Sequence, residues 1–500
     1  MANSSEEEII IDCNQNMRQK KRKINENRST FETLSDPLIQ TIVSSLFLTE
    51  KLVLRGVNRK LKTSIDQSLA KEECIQFVDS YGKDTDVWVN NRRRNRIDIN
   101  KIGFNFNDDN HCLVEVLNKF RQIKRLEFNN NIRITNQMLE WLFKRFPKIS
   151  SLSLVDYRCD YYTFNWMAIG DRLSKNLVSL EIECRRNHQI YSTVLAHLLT
   201  KLDRLQELTI VSPRRSLEDV FRALGPNLVK LRITYCEALY DDEVLALIDG
   251  NGKQLKQLDI DFQSMGKRVD ENLVFELICK NLLNLRSFSF NHWTLSPQSM
   301  AMIAELKNLK TFSWNPSGLH EGGRFTPPLY FYNELKFSSM GVESFNSLQT
   351  LKLSYVQLKP QFFFAWDQLF PNLKHLYLKG VFVCGCGSRI AYRCFCAKLC
   401  YQYLSEVKTL RSIVLDESID LCHSLHFHHM RQIQFFEVNC FQIKNRNYLN
   451  AILNNLVKMA TQQPIRPLFV RLYDIRCGPL SGLIVGLKFP ENLKITFSYN

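Results

Sequence analysis

The sequence predicts an α/β solenoid preceded by a small three-helix module. Three observations predict it. An apolar triplet recurs along most of the chain, spaced as apolar, two residues, apolar, one residue, apolar. Between its occurrences, apolar spacing changes from alternate positions to the three- and four-residue intervals of a helix. Ahead of the first occurrence, residues 31–69 carry helix caps and apolar faces but no such triplet.

Composition bounds the reading. Of 500 residues, 45% are hydrophobic and 23% charged, the balance of a folded chain. No run of about 18 apolar residues occurs, so no membrane partner is expected. Glu6, Glu7 and Glu8 near the start lack the basic-then-apolar order of a secretion signal, so cytoplasm, nucleus or both are expected. The 15 cysteines are then read as reduced thiols, with Cys112, Cys184 and Cys279 as small buried hydrophobes. A net charge of +15 favours acidic partners. Part of it lies in Lys20–Lys23, within a disordered basic tail over residues 1–30. That run reads as a solvated tail or as a nuclear-localisation signal.

The helical module comes next, over residues 31–75. Ser35 or Asp36 can cap a helix with Pro37 in its first turn, and Leu38, Ile39, Ile42 and Leu46 then share a face. Thr49 can cap a second helix carrying Leu52 and Leu54. A third begins near Asn58 and carries Leu61, Ile65 and Leu69. Residues 76–120 are read as a linker and N-terminal cap.

The triplets run through residues 121–440. They begin with Ile123-Leu126-Phe128, Ile149-Leu152-Leu154 and Leu177-Leu180-Ile182, then Leu205-Leu208-Ile210, Leu228-Leu231-Ile233 and Leu255-Leu258-Ile260. They continue with Leu285-Phe288-Phe290, Leu309-Phe312-Trp314, Leu348-Leu351-Leu353, Leu373-Leu376-Leu378, Leu410-Ile413-Leu415 and Met430-Ile433-Phe435. The last two apolar positions of each flank one variable residue, as a half-buried strand requires. Helical stretches follow: Asp241, Asp242 and Glu243 precede Val244, Leu245, Leu247 and Ile248, and Thr135 precedes Met138, Leu139, Leu142 and Phe143. Neither strand nor helix can bury its apolar side alone, so the units must stack. Phe469–Ile475 and Leu493–Phe497 read as strands of C-terminal repeats or a cap over residues 441–500.

These triplets, recurring early at about 26–28 residues, resemble leucine-rich repeats. The resemblance implies a curved array of about twelve units. Cys236, after its strand, resembles the cysteine-containing subtype. Residues 31–69 resemble the F-box. Leu34 matches its opening leucine, Leu38 and Ile39 its paired aliphatics, Ile42 and Leu46 its next isoleucine and leucine, and Val57 and Arg59 its later valine and arginine. Ser35, Asn58 and Leu61 stand where the family usually has proline, cysteine and tryptophan. An F-box followed by leucine-rich repeats resembles the substrate receptors of SCF ubiquitin ligases. The resemblance implies that the module docks on a Skp adaptor, which bridges to a cullin scaffold and a RING subunit, while the repeats hold a protein substrate. Leu34, Leu38, Ile39, Ile42, Leu46 and Val57 are the implied adaptor contacts, with internal helix packing as their other reading. Proximity would be the whole mechanism, with no catalytic residue and no cofactor.

In such arrays the variable strand residues line the concave face. Here they include Glu127, Glu181, Arg232, Asp259, Lys352, Tyr377 and Gln434, with Glu183, Asp261 and Lys379 one position on. The first half leans acidic, the second basic and aromatic. This is either a charge-graded substrate groove or ordinary solvated strand surface. One long insertion holds Pro316, Gly318 and the aromatic run Tyr330, Phe331 and Tyr332, which would anchor a partner or fold back. A second holds Cys384, Cys386, Cys394, Cys396 and Cys400. Two Cys-x-Cys pairs could form a zinc site, with His423, His426, His428 and His429 nearby, or stay reduced surface thiols.

Other classes find less support. No phosphate loop, dinucleotide-binding glycine pattern, nucleophile elbow or His-Glu-x-x-His motif occurs, so no enzyme is expected. The alternative is a nuclear scaffold binding protein or nucleic acid, favoured by the net charge and by Arg92, Arg93, Arg94 and Arg96. No zinc-finger, homeodomain or RNA-recognition pattern accompanies them.

Overall fold

The computed structural model describes residues 35–45, 51, 54–55, 59–78, 96–98, 117–129, 133–155, 158–159, 166–173, 175–183, 192–213, 216–236, 239–262, 271–291, 295–315, 345–354, 363–381, 395–416, 430–439, 446–463, 466–473 and 490–498. They fall into two compact units. One takes the chain up to Ile190 with Lys201–Leu205, the other Tyr191–Thr200 with Gln206–Asn500.

The first unit opens with helices α1 (Asp36–Ser45) and α2 (Arg59–Lys71). Ile39 and Val43 of α1 and Leu61, Ile65 and Leu69 of α2 are each at most 1% exposed, so helical spacing has put one apolar stripe of each helix inside. Ion pairs join the module: Arg55 to Asp66 at 2.7 Å, buried Lys51 to Glu72 at 3.1 Å and Lys60 to Asp36 at 2.9 Å. Strands follow: β1 (Cys74–Val78), β2 (Arg96–Asp98), β3 (Arg125–Asn129), β5 (Ser151–Leu154) and β7 (Ser179–Glu183) pair parallel in the order β2-β1-β3-β5-β7. A separate short pair joins β4 (Arg133–Ile134) and β6 (Arg158–Cys159). Crossover helices α3 (Asn136–Arg145) and α4 (Trp166–Leu173) lie between strands, as parallel pairing demands. Thr135 caps α3, its hydroxyl accepting from the Met138 N–H at 3.2 Å.

The second unit repeats the same step. Its strands are β8 (Glu207–Val211), β9 (Lys230–Cys236), β10 (Gln257–Phe262), β11 (Ser287–Asn291), β12 (Thr311–Trp314), β13 (Thr350–Ser354), β14 (His375–Lys379), β15 (Ser412–Asp416), β16 (Phe435–Asn439), β17 (Leu468–Tyr473) and β18 (Leu493–Ser498). Each pairs parallel with the next in chain order. The helices are α5 (Ser192–Leu199), α6 (Glu218–Arg222), α7 (Asp241–Asp249), α8 (Glu271–Asn281), α9 (Pro297–Ala301), α10 (Trp366–Leu369), α11 (Phe395–Glu406) and α12 (Arg446–Thr461). Both units are thus open parallel ladders with flanking helices, as in a strand–helix solenoid.

Register explains why the triplets recur. Leu231, Leu258, Phe288, Phe312 and Leu351 stand opposite one another on successive strands, as do Ile233, Ile260, Phe290, Trp314 and Leu353, and all are at most 1% exposed. Aromatics fill the middle of this core. Phe275 of α8 lies 5.5 Å from Phe288 and 5.0 Å from Phe290, and Phe288 lies 6.0 Å from Phe312. The residues between Leu309 and Leu348 do not disturb pairing: Thr311 still faces Thr350.

Side-chain amides tie the turns together. The residue just before the first apolar position of several units donates to a turn carbonyl of the preceding unit. Asn176 reaches Pro147 at 3.0 Å in the first unit of the chain. Gln254 reaches Gly225 and Asn284 reaches Lys253, both at 2.8 Å, while Asn372 reaches Asn346 at 2.7 Å and Gln432 reaches Leu404 at 2.9 Å. Near the C-terminal end, Asn492 donates to Ala460, Gln463 and Arg466. Buried Glu243 does similar work between helices, accepting from Tyr240 N–H at 2.8 Å and from the Leu217 N–H at the start of α6.

One triplet is corrected. The apolar positions of β16 are Ile433, Phe436 and Val438, not Met430, Ile433 and Phe435. Phe436 faces Ile413 and Val438 faces Leu415, while Phe435 is turned outward and 36% exposed. Both triplets fit the spacing, and Met430 is also buried, in the preceding turn. Only the observed register buries two side chains in line with the β15 core positions. Glu437, rather than Gln434, is therefore the variable strand residue. The segments read as C-terminal repeats or a cap, β17 and β18, continue the same ladder, with Val470 and Leu472 inward.

Candidate functional site

Two surfaces bear the residues singled out by sequence. On the helical module, α1 splits the paired aliphatics. Ile39 is 1% exposed and belongs to the core, whereas Leu38 is 46% exposed. Ile42 is half-buried. Leu34, Leu46 and Val57 lie outside the described residues. Asp36, Gln40, Lys60 and Gln67 line a polar cleft between the two helices, bridged by the Gln40–Gln67 hydrogen bond at 3.1 Å.

The other surface is the strand face that the apolar rows leave outward. In the first unit its acids are recessed. Glu127 is 6% exposed and ion-paired with Arg125 at 2.6 Å, and Glu183 is 2% exposed. Glu181 is half-buried and accepts from the Ser153 hydroxyl at 2.7 Å. Glu127 is thus held by its own strand and Glu181 by the neighbouring one, and Glu183 is buried, so little acid faces outward there.

In the second unit Arg232 and Lys352 are exposed, and Asp259 and Asp261 are half-buried, Asp259 accepting from Gln257 at 3.1 Å. Around β14 and β15 the face becomes a small polar network. Gly380, at φ 57°, turns the chain after β14, and its N–H donates to the Asp416 carbonyl at 2.6 Å. Tyr377 donates to the Asp416 carboxylate at 3.0 Å, and Lys379 lies 3.9 Å from it. Farther on stand Phe435, expected inward from its triplet, and Glu437, Phe469, Arg471 and Lys494, none of which sequence had placed on this face. Phe435, Phe469 and Lys494 share one register position on three neighbouring strands. The Lys494 ammonium lies 5.4 Å from the centre of the Phe469 ring. Arg471 lies 3.9 Å from Glu437. Burial raises the Glu437 carboxyl above the usual carboxylate range; Arg471 opposes this and Asp416 reinforces it.

Cys384, Cys386 and Cys394, which could form a zinc site or stay reduced thiols, lie outside the described residues, as do His423, His426, His428 and His429. Cys396 falls on α11, and Cys400, on the same helix, is fully buried core rather than a surface-loop thiol. Among the described residues no His/Cys/Asp/Glu cluster has metal-holding geometry, and no helix is long and apolar enough to cross a membrane. The Lys20–Lys23 run, Arg92–Arg94 and the Tyr330–Tyr332 aromatics also lie outside them.

What fold and surface define together is a class: a parallel strand–helix repeat protein with a patterned open strand face. No protein-family model matches the chain, and no curated protein matches it significantly. Among solved structures, an internalin from Listeria monocytogenes is 14% identical, aligning 76% of this chain with 87% of its own at a TM-score of 0.36. The fold assignment rests on the ladder of this chain, not on that likeness.

Proposed function

We propose that the chain is the substrate-recognition subunit of an SCF-type ubiquitin ligase, with no chemistry of its own. The carrying observation is the order of parts: an F-box-like pattern at Leu34, Leu38, Ile39, Ile42, Leu46 and Val57, followed, after residues 76–120, by strand–helix repeats. The exposure of Leu38 beside core Ile39 supports the reading, since an apolar side chain left outward on a helix suits an adaptor groove. The repeats would then hold a protein substrate near the charged conjugating enzyme and act by effective concentration.

Co-purification of the expressed chain with Skp adaptor and cullin tests this. Leu38→Ala should lose adaptor capture with an unchanged melting temperature, because the side chain is outside the core. Ile39→Ala should lower the melting temperature as well. Absence of capture by the wild-type chain would end the receptor reading. A scaffold binding other proteins or nucleic acid, consistent with the +15 net charge, would replace it.

A further inference from the structure

We infer that the outward face of β14–β18 is a docking site for an acidic peptide segment bearing an apolar side chain. This would be the substrate's contact if the receptor reading stands, but the assignment is argued from the strand face alone.

Two large aromatics form the centre. Phe435 and Phe469 are opposite one another on adjacent strands, 36% and 43% exposed. Strands in a sheet are about 4.8 Å apart, so the rings make one contiguous apolar shelf rather than two isolated exposures. Their position is fixed by the ladder: Phe436, Val438, Val470 and Leu472 take the inward places, leaving the intervening side chains outward.

The charges around the shelf are layered. Arg471, beside the rings on β17, is outermost, its side chain 52% exposed against 19% for its partner Glu437; farther off on β14, Lys379 is half-buried, 22% exposed against 12% for Asp416. Lys494 continues the aromatic row at the next strand. A ligand approaching this face therefore meets two rings flanked by ammonium and guanidinium groups, with the carboxylates set beneath. Acids on either side of an apolar residue complement that order. A nucleic acid fits it less well. It carries a phosphate at every residue and would have to cross Glu437 and Asp416, whereas a peptide places its carboxylates individually.

The test uses the full chain and needs no adaptor, so its failure is separable from failure of the receptor reading. A library of random dodecapeptides is selected on the immobilised protein, and the most enriched peptide is labelled and titrated by fluorescence anisotropy. Enriched sequences should carry aspartate or glutamate around an aromatic or aliphatic residue. Arg471→Glu with Lys494→Glu should abolish the acidic bias. Phe435→Ala with Phe469→Ala should weaken the labelled peptide by at least about tenfold. If either pair lowers the melting temperature, Lys494→Glu and Phe469→Ser singly give the same reading at outward positions. An enrichment without acids, a bias that survives both pairs, or displacement of the peptide by an equal concentration of single-stranded RNA would overturn the assignment.

Discussion

Glu437 shows how depth decides what a strand residue does. Burial favours its neutral form, so the folded chain holds that proton above the pH at which the unfolded chain releases it. Between the two values the native state binds more protons. The associated stability is full below the unfolded value and is lost as pH rises through the folded one. Glu437→Gln removes this loss, so its melting temperature relative to wild type should be higher at about pH 7 than at about pH 4. An equal difference at both would show that the carboxyl titrates normally. Cys279 is a second case. Burial first, then the carboxylates of Glu276 and Glu305, push its thiol well above the usual range. Iodoacetamide followed by peptide mapping should modify half-buried Cys74 in the native protein, and Cys279 only after denaturant is added. The sequence told residue type and strand position at such sites but not depth. Glu127 and Glu183 have the spacing of surface acids and are recessed, and adjacent Leu38 and Ile39 have opposite surroundings.

At the scale of the elements, the triplet spacing was enough to place the ladder strands from β3 to β15, though not the separate short pair β4 and β6. It failed at β16 because two overlapping triplets satisfied it. A second signal would have decided the register: an amide side chain directly before the first apolar position, as at Asn176, Gln254, Asn284 and Asn372. Gln432 stands directly before Ile433 and marks the observed choice. The aromatic docking face was hidden for the same reason, since it depends on which of Phe435 and Phe436 points inward. Where strands and α8 meet, four phenylalanines pack ring against ring, all at most 1% exposed. Phe288→Ala should cost about 3–5 kcal/mol, measured by urea unfolding, because neighbouring rings on three elements cannot collapse into the space. A cost below about 1 kcal/mol would mean that the core there is loosely packed.

For the whole molecule, repetition made the solenoid class legible, because one short pattern is reused many times and chance cannot sustain it. Function was less legible. A repeat array offers its strand face to many partners, and the face's character comes from side-chain depth and from neighbours far apart in sequence. Tyr377 and Asp416, joined by a hydrogen bond, are such a pair. The receptor reading therefore stands on the helical module and its order relative to the repeats, and adaptor capture by the Leu38→Ala chain is the measurement that decides it.

Because, among the described residues, each strand from β9 to β17 is bonded to the strand before it and the strand after it in the chain, mechanical load has a direct consequence. A molecule drawn from its C-terminal end in an optical trap should peel rather than rip, β18 parting from β17, then β17 from β16. A repeat of about 28 residues would release on the order of 10 nm of chain. The step on parting β13 from β12 should be visibly longer, since the stretch from Leu309 to Leu348 is paid out at once. A force trace would thus read the repeat lengths in order, like marks on a tape.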